Sequence, residues 1–225
     1  VSDVVARVRE RTEAAHTLRA GLELAWQGRD GAPPEGCSAS LSYQRGGLLR
    51  LQARSAAFFS VFEMVAGPDS IWIDVPRERT RISGAREDPG WASLPIDPQR
   101  ILVALLADPW GEGAPPREPT LDRGRGQIVL RGPDWNLQLD AEGRPATYER
   151  GVWMIAWSEW AVRRGTEWPH ETKITGPEGT LRVRLGQLIP DRHLPPDTFA
   201  GPFAADRTAL TPIEAKEWWS RALSE

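Results

Sequence analysis

The sequence predicts a mainly β protein of the α+β class: a broad antiparallel sheet of about eleven strands with one apolar face, covered by a central buried helix and by a helix near each end of the chain. Two observations lead there. About ten short segments alternate apolar with polar residues: Leu22, Leu24 and Trp26 interleave with Glu23, Ala25 and Gln27, and Leu181, Val183 and Leu185 with Arg182, Arg184 and Gly186. Period two with one polar face is how an antiparallel sheet reads when a single side is buried. Between two blocks of such segments, Ile101-Leu102-Val103-Ala104-Leu105-Leu106 is apolar on every side, which predicts a helix buried all round.

The elements follow in order. Residues 3–19 read as an amphipathic helix, with Val4, Val5, Val8, Ala15 and Leu18 on one stripe and Gly21 ending it. The first strand block, 21–84, contains segments 21–28, 38–45, 47–54, 57–66, 70–75 and 79–83, punctuated by turns such as Gly46-Gly47 and Gly67-Pro68-Asp69. Asp97-Pro98 opens the central helix, 97–107, as an N-cap followed by proline, and Asp108-Pro109 closes it. Residues 108–126 are rich in Pro and Gly and read as a long mobile loop. The second strand block, 127–189, holds segments 127–131, 134–140, 145–150, 152–160, 167–175 and 179–189. Thr211-Pro212-Ile213-Glu214 is a capping box that opens a C-terminal helix, 211–223, carrying Trp218, Trp219 and Leu223. At 225 residues the whole chain, 1–225, is read as one domain.

Composition excludes several partners. The net charge is −3 with both signs interspersed, which leaves no basic footprint for nucleic acid. One cysteine, Cys37, rules out an internal disulfide and any multi-cysteine metal site. No apolar run reaches the ~18 residues of a membrane span, and no signal peptide is visible, although the chain starts at Val1, so the reading leaves room for an upstream leader.

Catalytic signatures are missing, and no enzyme is expected. His170-Glu171 and Asp191-Arg192-His193 have no ligand spacing, and His16 lies among charges. Cys37 has no basic neighbour to make it a thiolate. Gly124-Arg125-Gly126 belongs to the loop, and no nucleophile elbow, phosphate loop or dinucleotide fingerprint occurs. No metal and no cofactor is expected.

Parity instead assembles an apolar wall. Strands about 4.8 Å apart make an eleven-strand sheet about 50 Å wide, of which three helices ~10 Å across cover little more than half. The candidate ligand-binding residues are Leu24, Trp26, Leu41, Tyr43, Leu49, Leu51, Phe62, Met64, Ile71 and Ile73 from the first block. Leu102 and Leu105 come from the helix, and Trp135, Leu137, Trp153, Ile155, Trp157 and Val183 from the second block. Such a lining suits a hydrocarbon chain; a fully packed interior is the alternative. Eleven Trp also admit carbohydrate stacking if Trp72, Trp110, Trp135 or Trp168 lie in a row on the polar face.

Four stretches carry a family resemblance. Thr17-Leu18-Arg19-Ala20-Gly21-Leu22-Glu23-Leu24 resembles a first strand after an N-terminal helix. Ser70-Ile71-Trp72-Ile73-Asp74-Val75-Pro76 with Arg81-Ile82-Ser83-Gly84 resembles a paired "I-x-I/L-x-x-P … G" pattern. Glu167-Trp168-Pro169-His170-Glu171-Thr172-Lys173-Ile174 and Leu194-Pro195-Pro196-Asp197-Thr198-Phe199 resemble a late "P-x-x-I" strand and an "L-P-x-x-x-F" close. Together with the element order, these resemble the lipoprotein-localisation proteins LolA and LolB and their relatives. The resemblance implies an open half-barrel that holds an acyl chain or a lipoprotein as cargo. It places the protein in the periplasm or on the periplasmic face of a Gram-negative outer membrane, lipid-anchored if a cysteine precedes this chain. It leaves open a scaffold lipoprotein of the same fold that binds another envelope protein. The protruding apolar loop of the outer-membrane receptor member falls near 66–70 here, where Ala66-Gly67-Pro68-Asp69-Ser70 has no large apolar tip.

Overall fold

The alternating segments become strands of one open, unclosed sheet in a computed structural model of the chain, which describes residues 2–13, 16–29, 31, 33–57, 59–94, 98–110, 120–122, 128–163, 165–200 and 206–222. Helix α1 (Ser2–Glu13) precedes strands β1 (Thr17–Gly28), β2 (Glu35–Gln44), β3 (Leu48–Arg54), β4 (Ser60–Ala66), β5 (Ser70–Val75) and β6 (Thr80–Ala85). Helix α2 (Pro98–Leu106) leads to β7 (Thr120–Asp122), β8 (Ile128–Arg131), β9 (Trp135–Leu139), β10 (Pro145–Arg150), β11 (Trp153–Arg163), β12 (Thr166–Gly176) and β13 (Gly179–Pro190). Strand β14 (Thr208–Leu210) and helix α3 (Pro212–Ala222) follow, and short 3-10 turns occupy Pro76–Glu78, Pro89–Ser93 and Pro196–Phe199.

The spatial order is β14-β6-β5-β4-β3-β2-β1-β13-β12-β11-β10-β9-β8-β7. Two hairpin meanders thus meet where the first strand lies beside the thirteenth. The successive pairings from β2 to β6 and from β7 to β13 are antiparallel, and β14 joins β6 in parallel. Both edge strands are three residues long, which limits the backbone they offer to another chain.

The sheet has fourteen strands, not eleven. One added strand, β7, lies inside the stretch expected to be a mobile loop. It pairs with β8, and Asp122 forms an ion pair with Arg131 at 3.3 Å. The rest of that stretch, 111–119 and 123–126, lies outside the described residues, as do Ala15, the expected N-cap Asp97 and Leu223. The first helix stops at Glu13 instead of residue 19, and Gly21 sits within β1 rather than ending a helix. Residues 16–20 are claimed by the far end of β13: the Asp191 amide donates to the Thr17 carbonyl at 2.8 Å, the Thr17 hydroxyl to the Arg192 carbonyl at 2.8 Å, and the His16 amide to Asp191 Oδ1 at 3.2 Å. Partners about 175 residues away in sequence override local helix propensity.

The residues fall into two compact units: Val1–Ala15, Leu24–Glu35 and Gln99–Gly186 in one; His16–Glu23, Gly36–Pro98 and Gln187–Glu225 in the other. The second unit stacks two apolar register rows, Tyr43–Leu49–Ala66–Ile71–Gly84 and Leu41–Leu51–Met64–Ile73–Ile82. Gly84 shares a face with Ile71, its cross-strand partner, and gives that bare face to Pro212 at the start of α3; a Cβ there would stand 2.9 Å from the proline ring. Trp91, fully buried in the neighbouring 3-10 turn, donates its indole N–H to the Ala85 carbonyl at 2.7 Å. The capping box forms: the Thr211 amide and hydroxyl both donate to Glu214 at 2.8 Å.

Opposite faces of the same strands are polar. Arg50 pairs with Glu63 and donates to the Thr198 carbonyl at 2.9 Å, while Arg207 pairs with Asp74 at 2.9 Å. The segment after β13 is thereby strapped to this face.

Candidate functional site

Within the first unit, six strands contribute one continuous apolar row. Leu130, Leu137, Tyr148, Ile155, Ile174 and Leu181 are successive cross-strand partners from β8 to β13, and all are buried. Trp157–Thr172–Val183 forms the next row on one side. On the other side Trp135 stands opposite Arg150, which stands opposite Trp153.

Helix α2 lies against this face. Its Ile101, Leu102, Ala104, Leu105 and Leu106 are buried. It ends on Ala107 in the left-handed conformation, φ 48°, with the Ala107 amide donating to the Ala104 carbonyl at 3.4 Å and the Asp108 amide to Val103 at 3.2 Å. That pair of bonds is a Schellman close, and Asp108 then accepts the Trp110 amide at 3.1 Å, turning the chain away. A helix leaves its last carbonyls unpaired; here Trp157 on β11 supplies a further donor, its Nε1 standing 2.8 Å from the Ala104 carbonyl. One turn nearer the helix start, the Arg100 guanidinium lies 3.7 Å above the centre of the Trp153 ring. The opposite face of that ring covers Gly176, where a Cβ would fall inside the indole. Trp153 is therefore held between an arginine and a glycine.

An aromatic cluster sits on β9 and β10 and the turn after α2. Trp110 meets Trp135 edge to face, ring centres 6.5 Å apart, and Trp135 tilts against Tyr148 at 6.3 Å. Trp135 also lies over Gly132, whose missing Cβ makes room for the indole. Burial pushes the Tyr148 phenol above its ordinary range, against a smaller opposing effect from Arg150. The indole N–H groups of Trp110 and Trp135 are buried without a hydrogen-bond partner, as is that of Trp168. Each such donor costs about 1–3 kcal/mol.

The expected lining residues divide between the units. Leu24, Trp26, Leu102, Leu105, Trp135, Leu137, Trp153, Ile155, Trp157 and Val183 belong to the first, and Leu41, Tyr43, Leu49, Leu51, Phe62, Met64, Ile71 and Ile73 to the second. Trp26 and Trp153 are half-buried and the others buried. Trp91, Trp110 and Arg100 were not among them. Trp91 and Trp110 lie on turns that no periodicity marks, and Arg100 reaches a tryptophan 53 residues away.

The reverse face of the first unit carries charge. Glu171, 6 % exposed, accepts from Arg184 at 2.9 Å and stands 3.4 Å from Lys173 and 3.6 Å from Arg182. The bond from Arg184 holds its carboxyl below the usual range against the opposing pull of burial, with Arg182 and Lys173 adding to the effect. His170, its neighbour in sequence, points to the other face and meets Glu159 at 3.2 Å, so His170 and Glu171 do not act as a pair. Burial raises the Cys37 thiol above its ordinary range. Trp135 and Trp168 are buried and Asp74 is occupied by Arg207, so the residues named for carbohydrate stacking form no exposed row. Among the described residues no helix is long and apolar enough to cross a membrane.

No protein-family profile matches the chain, and no curated protein matches it in sequence. Solved structures do share the fold. A domain assigned to outer-membrane lipoprotein sorting from Vibrio parahaemolyticus is similar at 12% identity and TM-score 0.59, over 88% of this chain and 95% of its own. A LolA-superfamily protein from Nitrosomonas europaea is similar at 10% identity and TM-score 0.60, over 89% and 97%. A DUF1329-family protein from Desulfovibrio piger is similar at 12% identity and TM-score 0.62, over 88% and 94%.

Proposed function

We propose that this chain, which has a LolA/LolB-like fold, holds an acyl chain or the lipid moiety of a lipoprotein against its apolar face and performs no chemistry on it. The observation that carries the reading is the six-strand row from Leu130 to Leu181, free of ionisable side chains except the Tyr148 phenol and lying on the face that meets α2. An apolar wall of that kind recognises hydrocarbon by area alone. The sorting domain and the LolA-superfamily protein of the same fold support a role in lipoprotein sorting or envelope lipid handling, in the periplasm or at the inner side of an outer membrane.

Displacement of a hydrophobic dye from the purified protein tests this. Saturated fatty acids below their micelle thresholds should displace it, and affinity should rise about fourfold per methylene (~0.8 kcal/mol) until the face is filled. A soluble sugar should do nothing. If no acyl compound displaces the dye, the reading is wrong and a ligand-free scaffold of the same fold replaces it.

A second reading rests on Phe59, 75% exposed on the connection between β3 and β4, with Val61 also exposed at the start of β4. The apolar tip that is missing at 66–70 is present there, and it favours contact between this hairpin and a bilayer.

A further inference from the structure

Among the described residues, two of the three buried, partnerless indole N–H groups lie side by side. Trp110 and Trp135 touch edge to face at 6.5 Å, and neither Nε1 has an acceptor. Trp135 is 5% exposed and fixed from behind by Tyr148 and from beneath by Gly132. Trp110 is the half-buried member of the pair, though its Nε1 is itself buried. Buried polar groups are almost always paired, and two adjacent exceptions beside an apolar wall need a cause.

Indole donates and cannot accept, so the missing partner is an acceptor. The charge around the pair says which kind. Arg150, directly opposite Trp135 in register, is already held by Asp134 at 3.0 Å. Burying a carboxylate here would add an anion beside an Arg150 that already pairs with Asp134, which is costly; a neutral carbonyl oxygen brings two lone pairs and no charge. Two residues along β9 from Trp135, Leu137 pairs with Leu130 of β8 at the start of the apolar row, so the acceptor comes with hydrocarbon attached.

We infer that Trp110 and Trp135 receive the carbonyl oxygen of an acyl ester or amide through their indole N–H groups, placing the carbonyl end of the ligand at the β9 side of the apolar face. This rests on the acyl-binding reading and adds the ligand's class and orientation: neutral esterified or amide-linked chains are preferred to free fatty acids and to alkanes.

The test uses the full chain with 15N-labelled tryptophan, the two indole signals being assigned through Trp110→Phe and Trp135→Phe. Methyl dodecanoate is compared with an alkane of equal length at matched free concentration, and methyl decanoate with its N-methyl amide separates the two carbonyl sources. The ester is expected to move both signals downfield, the alkane neither. The ester should bind about tenfold more tightly than the alkane, and in the double Phe variant the ester-to-alkane affinity ratio should fall to about one, whatever the absolute affinities. Equal binding of ester and alkane with unmoved signals overturns the inference and leaves the acyl-binding reading standing. A preference that survives in the double variant overturns it too. Binding of neither compound overturns both.

Discussion

Trp157 on β11 donates its indole N–H to the Ala104 carbonyl of α2 at 2.8 Å, across 53 residues of sequence. The bond joins the helix end to the sheet at the point where the helix has run out of its own donors. It fixes which turn of α2 sits over which strand, and Arg100 over Trp153 fixes the turn before it.

Trp157→Phe keeps the ring and removes the donor. The Ala104 carbonyl then keeps the long bond from Ala107 at 3.4 Å. Loss of this buried bond and of part of the ring volume should cost about 1–3 kcal/mol in urea unfolding. An unchanged midpoint would show that α2 is held by apolar contact alone.

Gly176→Ala tests the seat of Trp153. The new Cβ falls inside the indole, so the ring must leave Gly176 or the strand must shift. Overpacking of this kind should cost about 1–3 kcal/mol and alter tryptophan emission. Gly151→Ala is the control. It has a left-handed φ of 59° but open space around its Cβ position, so it should cost about 1 kcal/mol and leave emission unchanged.

The apolar wall was legible because strand parity depends only on neighbours in sequence: Leu137, Leu181 and Val183 alternate with polar residues, and each is buried. So was α2, apolar on every side. What escaped the reading depends on distant partners or on segments too short to show a period. Thr17–Ala20 continues an amphipathic pattern yet pairs beside Asp191. Thr120–Asp122 and Thr208–Leu210 are three residues each, below any detectable alternation. Trp91 is among the most buried side chains and stands in Asp-Pro-Gly-Trp, which announces only a turn. The Trp110–Trp135 pair joins a turn to a strand, and its partnerless donors have no sequence signature at all.

Glu171 gives the fold a pH dependence. Its carboxyl titrates below the usual carboxylate range, first because Arg184 donates to it. A depressed carboxylate contributes stability that is present in full above its unfolded pKa of about 4.3 and is lost as pH falls through the lower folded value. Glu171→Gln should therefore destabilise by about 1–3 kcal/mol at pH 7 and progressively less below about pH 4. A mutant and parent that differ equally at pH 7 and pH 3 would place the effect in packing instead of charge.

Phe59→Ser separates membrane contact from folding. The loop around Phe59 is closed by the Ser55 amide donating to the Phe59 carbonyl at 2.9 Å and the Phe59 amide to the Ser55 hydroxyl at 3.3 Å, both through groups the substitution keeps. With the ring 75% exposed, its loss should change unfolding by no more than about 0.5 kcal/mol. In a bilayer the same ring would bury roughly 2 kcal/mol of apolar surface, so co-sedimentation with phosphatidylethanolamine–phosphatidylglycerol vesicles should fall about thirtyfold in the variant. Equal partitioning of parent and variant would remove this hairpin from any membrane role.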